Sequence, residues 1–196
     1  MDTESLKLEY INQYKKIRET TKNIFPGKLK GDSKDNADKI KILIDETNSK
    51  TILDYGCGGG EQYTKLKLHK MWNVDVPTLY DPAEENYSTL PTTTFDGIIS
   101  TDVFEHIPED VVPECLEWIY NHSTKFVYLG ICTRLAAAIL PNGENAHCTV
   151  KPIHWWEEKI KQYSTDKNVI TVLHCYGQKG KYTVFDKKDS DGTIRF

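Results

Sequence analysis

The sequence has no apolar run near the length of about 20 residues that a membrane-spanning helix needs. Its first residues, Met1 to Ser5, lack the basic charge that begins a secretory signal peptide. A dense block of lysine and arginine is also missing and the net charge is −4, so a surface built to neutralise many nucleic-acid phosphates is not indicated. These absences predict a soluble, cytosolic protein whose partners are neither membranes nor long polyanions.

Cysteine is scarce and scattered: the chain has five cysteines, an odd number, and no C-x-x-C pair. A disulfide framework or a cysteine metal site is therefore not indicated. His147 and Cys148 are adjacent, but adjacent residues rarely supply a whole coordination set. The sequence predicts reduced, buried thiols and no bound metal.

With 196 residues, the chain suits one domain, since folding at this size buries roughly 70% of the unfolded surface. We expect residues 1–50 to form a helical cap and residues 51–196 an α/β core. In the cap, Tyr10, Tyr14 and Ile17 recur at helical spacing. The two tyrosines are candidates to line a substrate site, and packing of the helix on the sheet is the alternative explanation.

The central feature of the sequence is a glycine-rich turn, Gly56 to Gly60, that follows the apolar strand Thr51 to Tyr55. Glycine permits positive φ angles and close approach to a ligand, and the next helix, expected over Glu61 to Lys70, directs its N-terminus there. Asp54 departs from the dinucleotide pattern G-x-G-x-x-G. A carboxylate at this point suits a ligand that carries an ammonium group.

A second carboxylate follows the second predicted strand, where Thr78 to Tyr80 lead directly to Asp81. In nucleotide-binding folds an acid at this tip accepts hydrogen bonds from ribose hydroxyls. Asp81 comes 27 positions after Asp54 (81 − 54), more than the usual ~20. Asp75 is the alternative, although it lies in a less strand-like stretch. These assignments require an open crevice between the two carboxylates.

The remaining strands are predicted from buried apolar runs. Phe95 to Thr101 is one such run. A helix is expected to begin around Pro108, and Val111 to His122 is expected to form a crossover helix. Lys125 to Cys132 is another, buried on both faces. Val169 to Cys175 and Lys181 to Phe185 predict a hairpin that adds an antiparallel edge. The polar stretch from 84 to 94 leaves little room for a normal strand and helix.

Two motifs resemble those of the class I S-adenosylmethionine-dependent methyltransferases. Leu53 to Gly60 resembles the first motif, and Phe95 to Pro108 resembles the fourth-strand motif F-D-x-I-x-x-x-D-V-x-E-H-I. The whole pattern is similar to small stand-alone members from bacteria and their phages. The resemblance implies a Rossmann-like sheet, mostly parallel, and S-adenosyl-L-methionine as the cofactor. The implied cofactor-binding residues are Asp54, Tyr55, Gly56, Cys57, Gly58, Gly60, Tyr80, Asp81, Pro82, Thr101, Asp102 and Val103.

The predicted reaction is methyl transfer to an oxygen or nitrogen of a small molecule. A hydroxyl acceptor calls for a general base, and imidazole serves near neutral pH. His147, in the long loop after the strand at 125–132, is the first candidate and His106 the second. His154 and Trp155 are candidates for the floor of an acceptor pocket. Two alternatives stay open: methylation of a nucleic acid or nucleotide, and a cofactor-binding regulatory module without catalysis.

Overall fold

A computed structural model of the chain describes residues 2–21, 32–177 and 192–196. Two N-terminal helices precede a six-stranded sheet with helices packed on both of its faces. The helices are α1 (Thr3–Thr21), α2 (Asp32–Thr47), α3 (Glu61–Thr64), α4 (Leu68–Trp72), α5 (Val112–His122) and α6 (Ile153–Lys161). The strands are β1 (Ile52–Tyr55), β2 (Thr78–Tyr80), β3 (Phe95–Thr101), β4 (Ser123–Cys132), β5 (Ile170–Tyr176) and β6 (Thr193–Arg195).

The strand order is β2-β1-β3-β4-β5-β6, with β1 to β5 parallel and β6 antiparallel to β5. The predicted fold class, a mostly parallel α/β sheet with an antiparallel C-terminal edge, is confirmed. Between β2 and β3 the chain forms a single 3-10 turn, Glu85–Tyr87, so the stretch that looked too short for a strand holds none. The described edge strand is Thr193–Arg195, and the predicted partner Lys181 to Phe185 lies outside the described residues.

Unbroken apolar sequence in the central strands allows the sheet to be covered on both faces. Ile98 and Val127 belong to a core cluster that includes residues of α5 and α6. Their neighbours Ile99 and Tyr128 point to the other face and pack with residues of α2. The helices therefore fix the sheet rigidly, and the loops at the carboxyl ends of the strands are left to form a site.

The helix expected over Glu61 to Lys70 is broken into α3 and α4. Lys67, between them, has a φ of 58°, a left-handed conformation that no continuous α-helix contains. The indole nitrogen of Trp72 donates to the Ala37 carbonyl oxygen at 3.0 Å, and this side chain is buried against α2. The left-handed residue thus starts a new helix, α4, whose last residue Trp72 packs on α2. The crossover helix predicted over Val111 to His122 is confirmed as α5, Val112–His122, and the helix does not extend back to Pro108.

The first helix, α1, lies across the carboxyl ends of the strands. The Tyr14 hydroxyl donates to the Ala146 carbonyl oxygen at 2.6 Å and lies 3.1 Å from the carbonyl oxygen of His106. Lys7 pairs with Glu114 of α5. These contacts make α1 a cover over the edge of the sheet where a ligand is expected. Within the described ranges, no helix is both long and apolar enough to cross a membrane.

Candidate active site

The glycine-rich turn is built so that side chains are excluded from the crevice. Gly56, Gly58 and Gly60 have φ angles of 87°, 57° and 68°. The Gly56 amide donates to the Tyr80 carbonyl oxygen at 2.7 Å, which ties the turn to the end of β2. A Cβ atom on Gly56 would lie 2.2 Å from Cγ2 of Val103, closer than atoms can approach. The turn therefore depends on glycine for its positive φ angles, and at Gly56 also because any side chain would overlap Val103.

Asp54 stands at the end of β1 with its carboxylate buried below the turn. The Tyr63 hydroxyl and the Gln62 amide donate to its Oδ2 at 2.7 and 2.8 Å. Burial raises the pKa of Asp54 to about 6, the two hydrogen bonds oppose that rise, and the charge of Asp81 adds to it. A cationic ligand group beside Asp54 would favour its ionised form.

Asp81, at the end of β2, accepts four hydrogen bonds. Arg18 of α1 makes a bidentate pair, with Nη1 2.9 Å from Oδ1 and Nη2 2.7 Å from Oδ2. The amides of Gly58 and Ala83 each donate to the carboxylate at 2.9 Å. A carboxylate offers about four lone-pair sites. Ribose hydroxyls can therefore reach this acceptor only when a present donor, such as the guanidinium, leaves.

Two cavities flank the Arg18 side chain. One, about 300 Å³, is covered by α1 and lined by Tyr80, Asp81 and His106, and the other, about 290 Å³, contains Asp54. Three residues line both cavities and separate them: Arg18, Gly56 and Asp102. The sequence predicted one open crevice between the carboxylates, and the structure differs because Arg18 divides it. Each part lies at the lower limit of the ~300–1,000 Å³ typical of ligand pockets, so one elongated ligand would span both.

Asp102, which also lies between the two cavities, has a strained backbone conformation. Its φ is 55°, in the left-handed region that residues with a side chain seldom adopt. The Asp102 amide donates to the Gly130 carbonyl oxygen at 2.9 Å, which holds the backbone at the junction of β3 and β4. Strain of this kind, roughly 1–3 kcal/mol, is concentrated at functional sites.

The two candidate histidines are in contact, with only His106 at the cavity. His106 lines the cavity under α1, and its ring lies edge-on to that of His147, with 4.6 Å between centroids. His147 lines neither cavity. The Nδ1 atom of His106 lies 2.8 Å from the Ala146 carbonyl oxygen, and Nδ1 of His147 lies 2.5 Å from that of Arg134. A carbonyl only accepts, so each Nδ1 carries a proton and each neutral ring is basic at Nε2.

Glu105, between Asp102 and His106, is completely buried. Burial raises the pKa of Glu105 well above its usual range, and the negative charge of Asp102 adds to the rise. Its Oε1 accepts a hydrogen bond from the Cys132 amide at 3.2 Å. The resemblance to the fourth-strand motif placed Glu105 with His106 at the mouth of the pocket, whereas the structure buries Glu105 and it lines neither cavity.

Most of the predicted cofactor residues line one or both cavities, and Gly60 lines neither. Of the predicted substrate residues, Tyr10 and Tyr14 line the cavity under α1. His154 and Trp155 contribute to neither cavity, because α6 directs them elsewhere. His154 is exposed, and Trp155 packs edge-on against Trp156 with 4.8 Å between ring centroids.

Three residues that contact the site carboxylates, Arg18, Gln62 and Tyr63, were not predicted from the sequence. The signal for Arg18 was the helical spacing that already selected Tyr14, since residues four apart share a helix face. Gln62 and Tyr63 follow the glycine turn directly, where side chains of the first helical turn can reach back to the strand.

An open parallel sheet with a glycine-rich turn after its first strand, acids at two strand tips and a ligand-sized crevice defines a nucleotide-binding α/β protein. A family model described as a methyltransferase domain matches residues 29–175, most of the chain. The chain belongs to this family, and its sheet is the Rossmann-like fold of class I methyltransferases. Comparisons with curated proteins and with solved structures gave no match.

Proposed function

We propose that this methyltransferase uses S-adenosyl-L-methionine to methylate an oxygen or nitrogen atom of a small molecule. The observation that carries the proposal is the pair of carboxylates, Asp54 and Asp81, on opposite sides of one divided crevice. The cofactor would supply an electrophilic methyl group on a positively charged sulfur, with an amino acid at one end and a nucleoside at the other. Asp54 would hold the amino acid end and Asp81 the nucleoside end.

The residues present fit such a cofactor. Among the residues that the structure describes, the buried carboxylate of Asp54 accepts from a hydroxyl and an amide and from no cation. An ammonium group beside Asp54 would therefore stabilise its ionised carboxylate. Gly56 lines both cavities, and because it has no side chain the Val103 side chain can pack directly against the turn. Each oxygen of Asp81 accepts from one guanidinium nitrogen of Arg18, and the two hydroxyls of a ribose could take the places of these two donors.

A small acceptor is supported by the cover that α1 places over the site. Tyr10 and Tyr14 of α1 line the cavity of about 300 Å³, and both are tied to the loop after β4, Tyr10 through Glu144 and Tyr14 through Ala146. A polymer could reach His106 only if α1 moved away. The net charge of −4 also gives no broad basic groove for a nucleic acid. A cytosolic location stays a prediction from the composition.

His106 is the general base that the geometry favours, since its ring lines the covered cavity. Its Nε2 would take the proton from an acceptor hydroxyl while the oxygen forms its new bond to the methyl carbon. The hydrogen bond from Nδ1 to Ala146 fixes the ring for this task. His147, which the sequence placed first, lines neither cavity and lies edge-on to the His106 ring.

Replacing His106 with alanine should leave cofactor affinity within about twofold of wild type and lower the turnover number by about 10²–10⁴-fold, the usual contribution of a general base. Calorimetry measures the affinity and single-turnover transfer of a labelled methyl group measures the rate. Exposed His154 supplies the matched control, and its alanine variant should match wild type in both respects. A wild-type rate for the His106 variant would remove this residue from the mechanism.

The acceptor class can be tested by incubating the protein with S-adenosylmethionine labelled on its methyl group and with separate metabolite and RNA fractions. We expect label in the small-molecule fraction. Label in RNA would contradict the small-molecule assignment. Binding of the cofactor with no transfer to any fraction would instead favour a regulatory module.

Cofactor affinity should fall as the pH is lowered from 7 to 5. Asp54 has a pKa of about 6 without a ligand, so below pH 6 it is mostly protonated and must lose that proton to face an ammonium group. The affinity therefore drops by up to about tenfold for each pH unit below 6 and is nearly flat above 7. Calorimetry across this range measures the effect. The Asp54→Asn variant should bind more weakly at pH 7 without this dependence, and a persisting slope in the variant would refute the assignment.

A further inference from the structure

A second cluster of chemically reactive side chains lies behind the wall of the covered cavity. Glu105 on the turn after β3, Cys132 at the end of β4 and His147 on the following loop each offer one ligand atom, all within 4.8 Å of one another. Glu105 and Cys132 are buried and His147 is partly buried. The cluster joins three separate parts of the chain at the same end of the sheet, and the proposed methyl transfer does not use Glu105 or Cys132.

Glu105 supplies a buried oxygen that needs a partner. Its Oε1 accepts from the Cys132 amide at 3.2 Å, while its Oε2 has no hydrogen-bond partner among the described residues. Buried polar atoms almost always have a partner, and an unpaired carboxylate is among the least stable of them. The unpaired Oε2 belongs to a residue with no exposed surface. This oxygen is the second observation, beyond the cluster itself, that indicates a ligand.

His147 makes the kind of ring hydrogen bond that commonly fixes a metal-bound imidazole. Its Nδ1 donates to the Arg134 carbonyl oxygen at 2.5 Å, so the lone pair of the neutral ring is at Nε2. The main chain of His147 is held as well, because its amide donates to Oδ1 of Asn145 at 2.9 Å. Asn145 in turn hydrogen-bonds the main chain of Ala136 in both directions at 2.9 Å. The loop thus fixes the ring before any ligand arrives.

We propose that Glu105, Cys132 and His147 bind one divalent transition-metal ion of the zinc type. A carboxylate, a thiolate and an imidazole are the three donor types that zinc takes in proteins, at about 2.0–2.3 Å. Such bonds place ligand atoms roughly 3–4 Å apart in a tetrahedral site, so a contraction of about 1 Å closes the cluster. Three protein ligands leave the fourth position to water or to another oxygen or nitrogen donor.

The neighbouring thiol of Cys148 provides the internal control. Cys148 directly follows His147, yet its sulfur lies 4.0 Å from the Thr149 hydroxyl and is not part of the cluster. The residue after Cys148 ties the loop to the turn that carries Glu105, because the Thr149 amide donates to the Glu105 carbonyl oxygen at 3.0 Å. Replacing Cys148 therefore removes a thiol beside the site without removing a ligand.

The test uses the full chain, stripped of metal with a chelator and titrated with cobalt(II), a spectroscopic substitute for zinc. We expect one equivalent to bind, with visible bands of tetrahedral cobalt and an ultraviolet thiolate-to-cobalt band. Zinc should displace the cobalt and raise the midpoint of thermal unfolding. Absence of both spectral features in the wild-type protein would overturn the proposal. The readout is independent of the cofactor and of methyl transfer.

The variants assign the ligands. Cys132→Ser should lose the thiolate band, and Glu105→Gln and His147→Ala should each bind cobalt at least about tenfold more weakly. Cys148→Ser should keep the band and the affinity of wild type. Circular dichroism confirms that each variant is folded, and Cys132→Ser changes one atom, so its spectrum alone decides the thiolate assignment. A thiolate band that survives in Cys132→Ser or disappears in Cys148→Ser would contradict the proposed set.

Discussion

Replacing Gly56 with alanine is expected to abolish measurable binding of S-adenosylmethionine and to lower the free energy of unfolding by about 2–5 kcal/mol. The first cause is backbone strain, since alanine at a φ of 87° costs about 1–2 kcal/mol. The second is the overlap of the new methyl group with Val103, 2.2 Å from its Cγ2. Gly56 lines both cavities and Val103 lines the one under α1, so a displaced Val103 would change the shape of the site.

Gly143 provides a matched control for the backbone strain. Its φ is 89°, almost that of Gly56, but a Cβ there would meet no atom within 4 Å, and Gly143 lines neither cavity. Gly143→Ala should cost only the strain, about 1–2 kcal/mol, and leave the cofactor affinity unchanged. Denaturant unfolding and calorimetry measure both quantities. Equal destabilisation by the two variants, with binding kept in both, would show that the space beside Gly56 is not part of the site.

Replacing Arg18 with alanine is expected to strengthen the binding of 5′-methylthioadenosine, a nucleoside without the amino acid, by about 5- to 30-fold. The ribose of such a ligand must displace the guanidinium from Asp81. The side chain of Arg18 is about one third exposed, so solvent weakens the pair, and removing it should release about 1–2 kcal/mol. Calorimetry with the nucleoside measures the change. Weaker binding by this variant would mean that Arg18 holds the nucleoside instead of competing with it.

Asp81→Ala should act in the opposite direction. One or two ribose hydrogen bonds to a carboxylate, of about 1.5–3 kcal/mol each, would be lost, so the nucleoside should bind at least about tenfold more weakly. The control for both variants is Lys15→Ala, an exposed change on the same helix that should bind as wild type does. An unchanged affinity in Asp81→Ala would refute the ribose assignment.

The sequence predicts the part of this site that depends on local order along the chain. Asp54 and the glycines lie within one strand and its turn, so their arrangement follows from strand geometry and positive φ angles. Asp81 is equally local to β2. Parallel strands bring both tips to one edge of the sheet, and the structure has them there.

The features that the sequence did not predict depend on how distant elements pack. Arg18 and Asp81 are 63 positions apart, and their pairing requires α1 to lie across the sheet at one particular angle. The break between α3 and α4 likewise depends on a pocket for Trp72 against α2. Helical spacing places Arg18 on the same face of α1 as Tyr14, but it does not indicate which distant residue that face meets. Glu105 could be read from its motif as a residue near the pocket, but not as a buried carboxylate with an unpaired oxygen.

The most direct test of the central claim, that two carboxylates hold opposite ends of one cofactor, is calorimetric titration of the full chain with S-adenosylmethionine and S-adenosylhomocysteine. We expect one molecule of either ligand to bind, and Asp54→Asn and Asp81→Ala each to weaken that binding. The loss in the Asp54 variant should be absent when 5′-methylthioadenosine is titrated, because this ligand has no ammonium group. No heat of binding for either ligand with wild-type protein, or wild-type affinity in both variants, would contradict the claim.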